Sequence, residues 1–345
     1  MNAGAAAPAS AAGTATPPTR PRLAFLGVGW IGRHRLQAVA ESGVAEIVAI
    51  ADPDAAAAAA ASDVAPDAAP CENLEALLAT EPDGVVIATP NALHAGQALR
   101  ALAAGAAVFC QKPLGRSAAE TRGVVDAARA ADRLLEVELS YRHTGAARAV
   151  RELVADGAIG RVYAARLVFH NAYGPDKAWF RHPRLAGGGC VMDLGVHLVD
   201  LALWTLGFPP VVGVSSRRFA GGERLAHGDG RAEDFATARL DLDTGAVVEV
   251  ACSWDLHAGR DATIAADFHG SEGGASLHNL RGSFYDFAAE RFRGTSAAPL
   301  AEPPDDWGGR AIVRWVERVA AGAAFDAAAT ELVAVAEVLD AILGR

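Results

Sequence analysis

The sequence lacks the features of several protein classes. It has no run of about 18 consecutive apolar residues, so we predict neither a transmembrane helix nor a membrane partner. Basic residues are in deficit, with 31 Lys and Arg against 41 Asp and Glu, and the net charge of −10 argues against a nucleic-acid partner. The four cysteines lie far apart, outside any CxxC or Cys/His cluster. We therefore expect reduced thiols of a cytoplasmic protein and no metal site.

Residues 1–21 are rich in Ala, Pro and Thr and lack both the basic start and the leucine-rich run of a secretion signal. We predict that they form a disordered tail. The rest of the chain is long enough for two domains, and a content of 51% apolar residues is sufficient for full hydrophobic cores.

Residues 22–140 alternate between short apolar strands and helices. We predict strands at 22–27, 45–51, 84–88, 106–110 and 134–139, and helices at 30–42, 55–61, 73–79, 91–104 and 117–131. The helix at 55–61 consists of seven alanines, the residue with the highest helix propensity. This alternation predicts βαβ units and a doubly wound parallel sheet, an α/β fold of the Rossmann type.

From residue 141 onward the pattern changes. We predict helices at 145–156, 193–206, 308–320 and 326–343, and strands at 161–170, 211–219, 232–241, 246–254, 261–269 and 274–280. Several of these strands alternate apolar and polar residues and are joined by short turns, which favours antiparallel hairpins. Residues 141–345 are thus predicted to form an α+β domain. Its substrate-binding and oligomerisation role is implied by the family resemblance given below.

A glycine-rich loop between the first strand and the first helix has the spacing GxGxxG. Gly27 permits a tight turn, Gly29 lets a pyrophosphate approach the backbone, and Gly32 allows the helix to pack closely. Asp52 ends the next strand 20 residues after Gly32, where a carboxylate can accept both ribose hydroxyls of adenosine and repel a 2′-phosphate. The alternative role of Asp52 is to form a turn at the end of the strand, before Pro53. The pattern predicts a dinucleotide site that prefers NAD to NADP.

Polar residues follow the strands at 84–88 and 106–110, at the carboxyl edge of the sheet where ligands of this fold bind. The residues predicted to contact the cofactor are Gly27, Gly29, Trp30, Ile31, Gly32, Asp52, Thr89, Pro90, Asn91, His94, Gln111 and Lys112. Lys112 can also hold a substrate hydroxyl, although a single lysine at a strand end is more often a solvated charge.

A second cluster lies in the sequence GGGCVMDLGVH. Asp193 and His197 are four residues apart, which places them on one face of a helix. An imidazole can act as the base that hydride transfer from an alcohol requires, and a neighbouring carboxylate can orient its ring. The alternatives are a capping aspartate with a core histidine, or a pair of metal ligands.

The chain resembles the glucose–fructose oxidoreductase, inositol dehydrogenase and rhizopine-catabolism family (Gfo/Idh/MocA). The resemblance lies in GVGWIG, TPN…H, VFCQKPL, ELVADGAIGRV and GGGCVMDLGVHLVDLALWTLG, which together extend from Leu23 to about Gly207. It implies a Rossmann domain followed by a large, mostly antiparallel open sheet, and assembly into homodimers or homotetramers. It also implies that Lys112, Asp193 and His197 are catalytic, with His197 as the proton acceptor.

One position departs from the family pattern. Gln111 stands where the family's EKP motif has glutamate, which removes a negative charge beside Lys112. We expect the enzyme to remain active, and a Gln111→Glu change to alter the rate or the pH optimum only modestly.

Polar and aromatic residues near the start of the second domain are candidates for binding a sugar, whose ring has apolar faces and hydroxyl edges. The predicted substrate residues are Arg142, His170, Asn171, Tyr173, Trp179, Asp193 and His197. A solvated loop explains any one of the aromatic or amide residues equally well.

These observations predict an NAD-dependent dehydrogenase of a secondary alcohol on a sugar, amino sugar or cyclitol. The acidic composition slightly favours an amino sugar. Two alternatives remain open: an enzyme that cleaves glycosides by transient oxidation with NAD, and a regulatory protein that senses NAD(P) without catalysis.

Overall fold

The computed structural model describes residues 20–345, and the predicted tail at 1–19 lies outside the described residues. The last two residues assigned to the tail are described, and Pro21 is buried, with its carbonyl accepting the amide of Glu46. Pro21 is therefore part of the folded first domain.

The first domain follows the predicted alternation closely. Its elements are β1 (Arg22–Leu26), α1 (Trp30–Ser42), β2 (Glu46–Ala51), α2 (Ala55–Ser62), β3 (Ala69–Cys71), α3 (Leu74–Leu78), β4 (Gly84–Ile87), α4 (Asn91–Ala103), β5 (Ala107–Gln111), α5 (Ala118–Ala131) and β6 (Leu135–Glu138). Asp54 begins the alanine helix α2, because its carboxylate accepts the amides of Ala56 and Ala57.

The strands of the first domain form one parallel sheet in the order β3-β2-β1-β4-β5-β6, which confirms the Rossmann prediction. The prediction missed β3, whose three residues Ala-Pro-Cys carry no apolar alternation. Because all strands run the same way, β4, β5 and β6 present their carboxyl ends at the same edge of the sheet.

The elements that follow the first domain in the chain are α6 (Gly145–Ala155), β7 (Val162–Asn171), α7 (Pro183–Ala186), α8 (Val196–Leu206), β8 (Val211–Ala220), β9 (Glu223–Arg224), β10 (Phe235–Leu242), β11 (Val247–Ser253), β12 (Ala262–Gly270), β13 (Gly274–Asn279), β14 (Phe287–Arg293), β15 (Ser296–Ala301), α9 (Arg310–Ala320) and α10 (Glu331–Leu343), and all of them except α9 form the second domain. Its sheet has the order β15-β14-β13-β12-β7-β11-β10-β8-β9, and every neighbouring pair is antiparallel except β7 and β11. The predicted open, mostly antiparallel sheet is confirmed.

The prediction missed β9, β14 and β15. β15 contains Pro299, which cannot donate to a strand ladder, and it lies at the edge of the sheet where proline is tolerated. β9 has only two residues. Neither strand carries the alternating pattern from which the others were predicted.

Helix α9 packs against the first domain, although the prediction assigned it to the second. Ile312, Trp315 and Val316 are buried in the same core as Leu23 and Phe109, and the ring centroid of Trp315 lies 5.6 Å from that of Phe109. Gly84 makes room for the indole, since a Cβ there would lie 2.7 Å from its ring. The chain thus returns to its first domain after completing the second sheet.

The stretch Pro183–Leu206 contains α7, a π-helical turn at Val191–Gly195, and α8. It is long and apolar enough to span a membrane by composition, but 83% of its most apolar window is buried inside the protein. Such burial is typical of a core helix, and the stretch lies between the second sheet and α10.

Candidate active site

The glycine loop has the backbone geometry that a dinucleotide site needs. Gly27 has a φ of +84°, and a Cβ there would lie 2.6 Å from the carbonyl oxygen of Ala88. A Cβ on Gly32 would lie 2.1 Å from the carbonyl oxygen of Gly27. At Gly29, by contrast, the nearest atom to a Cβ is 3.9 Å away, so open space remains for a phosphate beside the first turn of α1.

Asp52, which directly follows β2, forms a hydrogen bond with this loop. Its Oδ2 accepts the amide of Val28 at 2.6 Å, and its Oδ1 accepts the amide of Asp54 at 2.9 Å. The carboxylate therefore lies beside the glycine loop, where the adenosine ribose of a dinucleotide binds in this fold. The two bonds also support the alternative role of Asp52 as a turn former.

Two predicted cofactor residues use their polar atoms within the protein. The ring nitrogens of His94 lie 2.7 Å from the carbonyl oxygen of Pro113 and 2.6 Å from that of Thr89, and Asn91 donates its amide to Ala186. Both side chains are buried. His94 joins the loops at the ends of β4 and β5, and Asn91 joins the start of α4 to α7, so both side chains position the cleft wall.

Lys112 forms an ion pair with Asp193 of the second domain. Its Nζ donates to both Oδ1 and the main-chain carbonyl of Asp193, each at 2.7 Å. The other carboxylate oxygen accepts Trp254 Nε1 at 3.0 Å. The sequence-based expectation that Asp193 orients the ring of His197 is thus not supported, because both of its oxygens bind other groups and a wider π-helical turn replaces the α-helical spacing.

His197 is held in an aromatic environment at the start of α8. The centroid of its ring lies 4.9 Å from that of Tyr141, edge to face, and 6.2 Å from that of Phe169. Burial lowers the pKa of His197 well below its usual value, and the nearby positive charge of Lys112 lowers this pKa further. The imidazole is therefore neutral near pH 7 and can accept a proton.

The glycine cluster before Asp193 packs onto a buried glutamate that the sequence analysis missed. Glu233 accepts the amides of Gly189 and Val191 with one oxygen, at 2.7 and 3.0 Å. A Cβ on Gly189 would lie 2.0 Å from the carbonyl oxygen of Glu233, so only glycine fits there. This contact fixes the start of the turn that presents Asp193.

A cleft of about 670 Å³ lies between the two domains, and Lys112 and His197 line it. The predicted site residues Gly27, Gly32, Asp52 and Asp193 do not line it. Its walls include nine of the predicted cofactor residues and three of the predicted substrate residues, namely Gly29, Trp30, Ile31, Thr89, Pro90, Asn91, His94, Gln111 and Lys112, and Tyr173, Trp179 and His197. They also include residues that the sequence analysis missed, among them Arg35, Glu138, Tyr285 and Trp307. No short motif connects these residues, which lie on α1, β6 and loops far apart in the chain.

The structure corrects two predicted substrate residues. Arg142 binds Asp200 through Nε and Nη2, reaches Glu331 at 3.1 Å, and lines a separate groove. His170 follows the buried Phe169 on β7 and therefore points to the opposite face of the sheet, where it lies 2.7 Å from the hydroxyl of Ser253. Neither residue lines the cleft.

The remaining substrate candidates differ in position. Tyr173 and Trp179 line the cleft from the loop after β7, and Trp179 stacks on Phe180 with ring centroids 3.8 Å apart. Asn171, at the end of β7, does not line the cleft, and its buried Oδ1 has no hydrogen-bond partner among the described residues.

Cysteines and metal-ligating groups add no further chemistry to the site. All four cysteines are free thiols, although the fold brings Cys190 and Cys252 together with sulfur atoms 3.7 Å apart. Within residues 20–345 no group of three or more His, Cys, Asp or Glu is arranged to hold a metal ion.

Family models match most of the chain. Residues 22–139 match the model described as an oxidoreductase family with an NAD-binding Rossmann fold, and residues 147–276 match the GFO/IDH/MocA C-terminal domain. The two matches include Lys112, Asp193 and His197.

Curated relatives are dehydrogenases of sugars. The chain is 29% identical to D-glucoside 3-dehydrogenase of Escherichia coli (strain K12) over 58% of its own length and 60% of that protein. It is 30% identical to D-apiose dehydrogenase of Paraburkholderia graminis over 88% of its length and 77% of that protein. The chain thus matches less than two thirds of the first relative and about three quarters of the second.

Solved structures share the whole fold. GenD2 from gentamicin A biosynthesis, solved in complex with NAD, is 25% identical, with a TM-score of 0.79 over 98% of this chain and 96% of that one. KijD10, a 3-ketoreductase solved with NADP, has a TM-score of 0.79 at 22% identity, over 94% of this chain and 97% of that one.

Proposed function

Because the chain belongs to the GFO/IDH/MocA family of NAD(P)-binding sugar and cyclitol oxidoreductases, we propose that it is an NAD-dependent dehydrogenase. Its reaction transfers a hydride between a nicotinamide ring and a secondary alcohol of a sugar, amino sugar or cyclitol. The observation that carries this proposal is the ion pair between Lys112 of the first domain and Asp193 of the second, formed near a neutral His197.

His197 serves as the base in this reaction. Its lowered pKa keeps the imidazole unprotonated near pH 7, so it can accept the proton of the alcohol as the carbon is oxidised. Tyr141 and Phe169 hold the ring in place by packing rather than by a carboxylate.

Lys112 binds the substrate oxygen and stabilises the negative charge that develops on it. Asp193 and its main-chain carbonyl fix the amine at 2.7 Å, and Trp254 fixes the other oxygen of that carboxylate. A preorganised cation at this point lowers the barrier without moving during the reaction.

The residues present fit a nicotinamide dinucleotide, which supplies the hydride acceptor or donor when bound. Gly29 leaves room for the pyrophosphate beside the first turn of α1. Asp52 favours NAD, since its carboxylate beside the loop would repel the 2′-phosphate of NADP.

A sugar or cyclitol substrate suits the mixed lining of the cleft. Tyr173, Trp179 and Trp307 offer aromatic faces, while Lys112 and His197 offer polar groups for ring hydroxyls. The named activities of the relatives, on D-glucosides and D-apiose, support this substrate class.

The test is a panel of free sugars, amino sugars and cyclitols with NAD and with NADP, followed by the absorbance of the reduced nicotinamide. We expect net reduction of NAD, and His197→Asn should lower kcat by about 10²–10⁴-fold. A preference for NADP would refute the role of Asp52.

Two further outcomes concern the alternative functions. Glycoside cleavage without net reduction would refute the dehydrogenase assignment. Full biological activity of the His197→Asn variant would indicate a regulatory protein.

A further inference from the structure

The large aromatic side chains of this protein are concentrated at the cleft. Aromatic residues make up only 6% of the sequence, which has four tyrosines and six tryptophans. Three of the tyrosines and three of the tryptophans line the cleft, namely Trp30, Tyr141, Tyr173, Trp179, Tyr285 and Trp307. Single exposed apolar residues are ordinary on a folded protein, whereas a contiguous group of them indicates a binding surface.

Some of these rings form a row that begins at the catalytic base. The ring of Tyr141 packs against His197, and its centroid lies 5.4 Å from that of Trp307. The centroid of Trp307 lies in turn 6.3 Å from that of Tyr285. His197 and Trp307 are buried, but Tyr285 is 56% exposed. The aromatic wall therefore continues past the reacting group to the mouth of the cleft.

Tyr285 lies on the loop between β13 and β14, which is held by hydrogen bonds. The hydroxyl of Ser283 accepts the main-chain amides of Tyr285 and Asp286, each at 3.1 Å. Buried Asn279 donates to the carbonyl of Ser283 at 2.8 Å, and Nε1 of Trp307 donates to the carbonyl of Tyr285 at 2.9 Å. The loop thus holds the main chain of Tyr285 in place, and a preorganised residue loses little conformational entropy when it binds a ligand.

A second exposed tyrosine borders the same region. Because β7 and β13 both run antiparallel to β12, their carboxyl ends lie at one edge of the second sheet. Tyr173 follows β7 at this edge and is 51% exposed, and its ring centroid lies 6.3 Å from that of Phe284, the neighbour of Tyr285. Tyr173, Phe284 and Tyr285 form one group of rings lining the cleft, which we call the outer aromatic group.

We propose that the outer aromatic group binds a second ring of the substrate. The preferred substrate is then a sugar or cyclitol joined to a further sugar ring through a glycosidic bond. A single sugar ring is about as large as one aromatic ring, so a ring held at His197 does not also cover Tyr285, which lies three ring contacts away. This proposal rests on the proposed function and specifies the size of its substrate.

The chemistry of the outer aromatic group suits a sugar ring. Such a ring has apolar faces that pack against aromatic side chains and hydroxyl edges that need polar partners. The phenol groups of Tyr173 and Tyr285 supply both kinds of surface, and Asp176 lines the cleft from the same loop as Tyr173. The two tyrosines therefore determine specificity, while Lys112 and His197 act on the first ring.

The experiment measures the binding of sugars to protein saturated with NADH, by isothermal titration calorimetry, so that no alcohol is oxidised. One-ring and two-ring sugars are compared in matched sets: D-glucose with maltose and cellobiose, D-galactose with melibiose and lactose, and myo-inositol with galactinol. We expect at least one two-ring sugar to bind about tenfold more tightly than its one-ring counterpart, because of the added stacking contacts.

Variants of the exposed tyrosines test the origin of this preference. Tyr285→Ala and Tyr173→Ala should each remove most of the advantage of the two-ring sugar and leave the binding of the one-ring sugar nearly unchanged. Tyr285→Phe, which keeps the ring, should retain most of it. Tyr163→Ala is the matched control and should behave as wild type, because Tyr163 on β7 is also 51% exposed but does not line the cleft.

Three results would overturn the proposal: no preference for any two-ring sugar in the wild type, an equal loss for one-ring and two-ring sugars in Tyr285→Ala, or the same loss in Tyr163→Ala. These measurements do not depend on turnover. The proposed function fails separately, if the wild-type protein binds these sugars but reduces NAD with none of them.

Discussion

Two glutamates on one face of β6 have opposite surroundings. Glu136 receives a hydrogen bond from Arg318 at 2.5 Å and lines a groove of about 410 Å³ on the far side of the domain junction. Glu138, two residues later, faces Arg35 without hydrogen-bond geometry and lines the cleft. Burial raises the pKa of both carboxyl groups, and that of Glu138 reaches about 7.

The difference lies in where each ion pair stands, within a groove away from the predicted site residues or in the wall of the cleft. In the groove, Arg142 binds Asp200 and Glu331, and Arg318 binds Glu136 and Asp326. In the cleft, Arg35 lies 2.7 Å from Glu138, and the amide nitrogen of Gln111 has no hydrogen-bond partner among the described residues. We infer that the groove contributes mainly to stability, and the cleft to binding and catalysis.

The largest expected effect concerns catalysis in the cleft. Lys112→Met removes the cation that stabilises the substrate oxygen and should lower kcat about 10³-fold, with the melting temperature little changed. Lys177, the only other lysine in the sequence, also lines the cleft but forms no ion pair with Asp193. Lys177→Met should keep kcat within a few-fold, and an equal loss in both variants would contradict the assigned role of Lys112. Steady-state kinetics measures both.

A substitution in the groove should lower stability and leave kcat unchanged. Arg142→Met leaves the buried carboxylate of Asp200 without its partner and should lower the free energy of unfolding by about 3–4 kcal/mol. Because Arg142 does not line the cleft, kcat per folded molecule should stay near the wild-type value. Urea unfolding and kinetics on the same preparation distinguish the two effects. A loss of kcat with unchanged stability would restore Arg142 as a substrate residue.

The pH dependence of stability should differ between the two glutamates. The pKa of Glu138 is raised in the folded state from about 4.5 to about 7, so the folded protein binds this proton more tightly than the unfolded chain. Wild-type stability should therefore fall, relative to Glu138→Gln, by up to about 3 kcal/mol as pH rises from 4.5 to 7. Glu136→Gln should show a smaller difference. Urea unfolding at several pH values measures both, and parallel pH curves for wild type and Glu138→Gln would contradict the burial argument.

The smallest effect is expected for Gln111→Glu. The new carboxylate would lie beside Glu138 across the strand register, and repulsion between like charges should raise the pKa of Glu138 further. We expect a few-fold change in rate and a modest shift of the pH optimum, measured by pH–rate profiles. Activity gained from an inactive wild-type protein would show that Gln111 had disabled the enzyme.

Much of the first domain could be predicted because its signals are local. The glycine spacing, the apolar strands and the helix-forming alanines each act over a few residues, so the predicted helix at 30–42 coincides with α1. β3 was missed because three residues carry no periodicity, and α9 was assigned to the wrong domain because nothing near Trp315 indicates that its partner is Phe109.

The candidate site was predictable where a motif carries it and unpredictable where distant residues meet. Lys112 and His197 stand in recognisable segments and line the cleft. Arg142 and His170 were misplaced, because an ion pair with Asp200 and the alternation of β7 decide where these side chains point. The spacing of four residues predicted that Asp193 orients the ring of His197, whereas in the fold Asp193 forms an ion pair with Lys112.

By itself, the sequence determined the family and the Rossmann domain, because these depend on local patterns. Only the tertiary structure decided which charges are satisfied. Glu136 and Glu138 have the same chemistry and lie two residues apart, yet one meets Arg318 of α9 and the other meets Arg35 of α1 at the cleft. Each of these arginines lies more than 100 residues from its glutamate in the chain, so the fold decides how deeply each carboxyl group is buried and which partner it has.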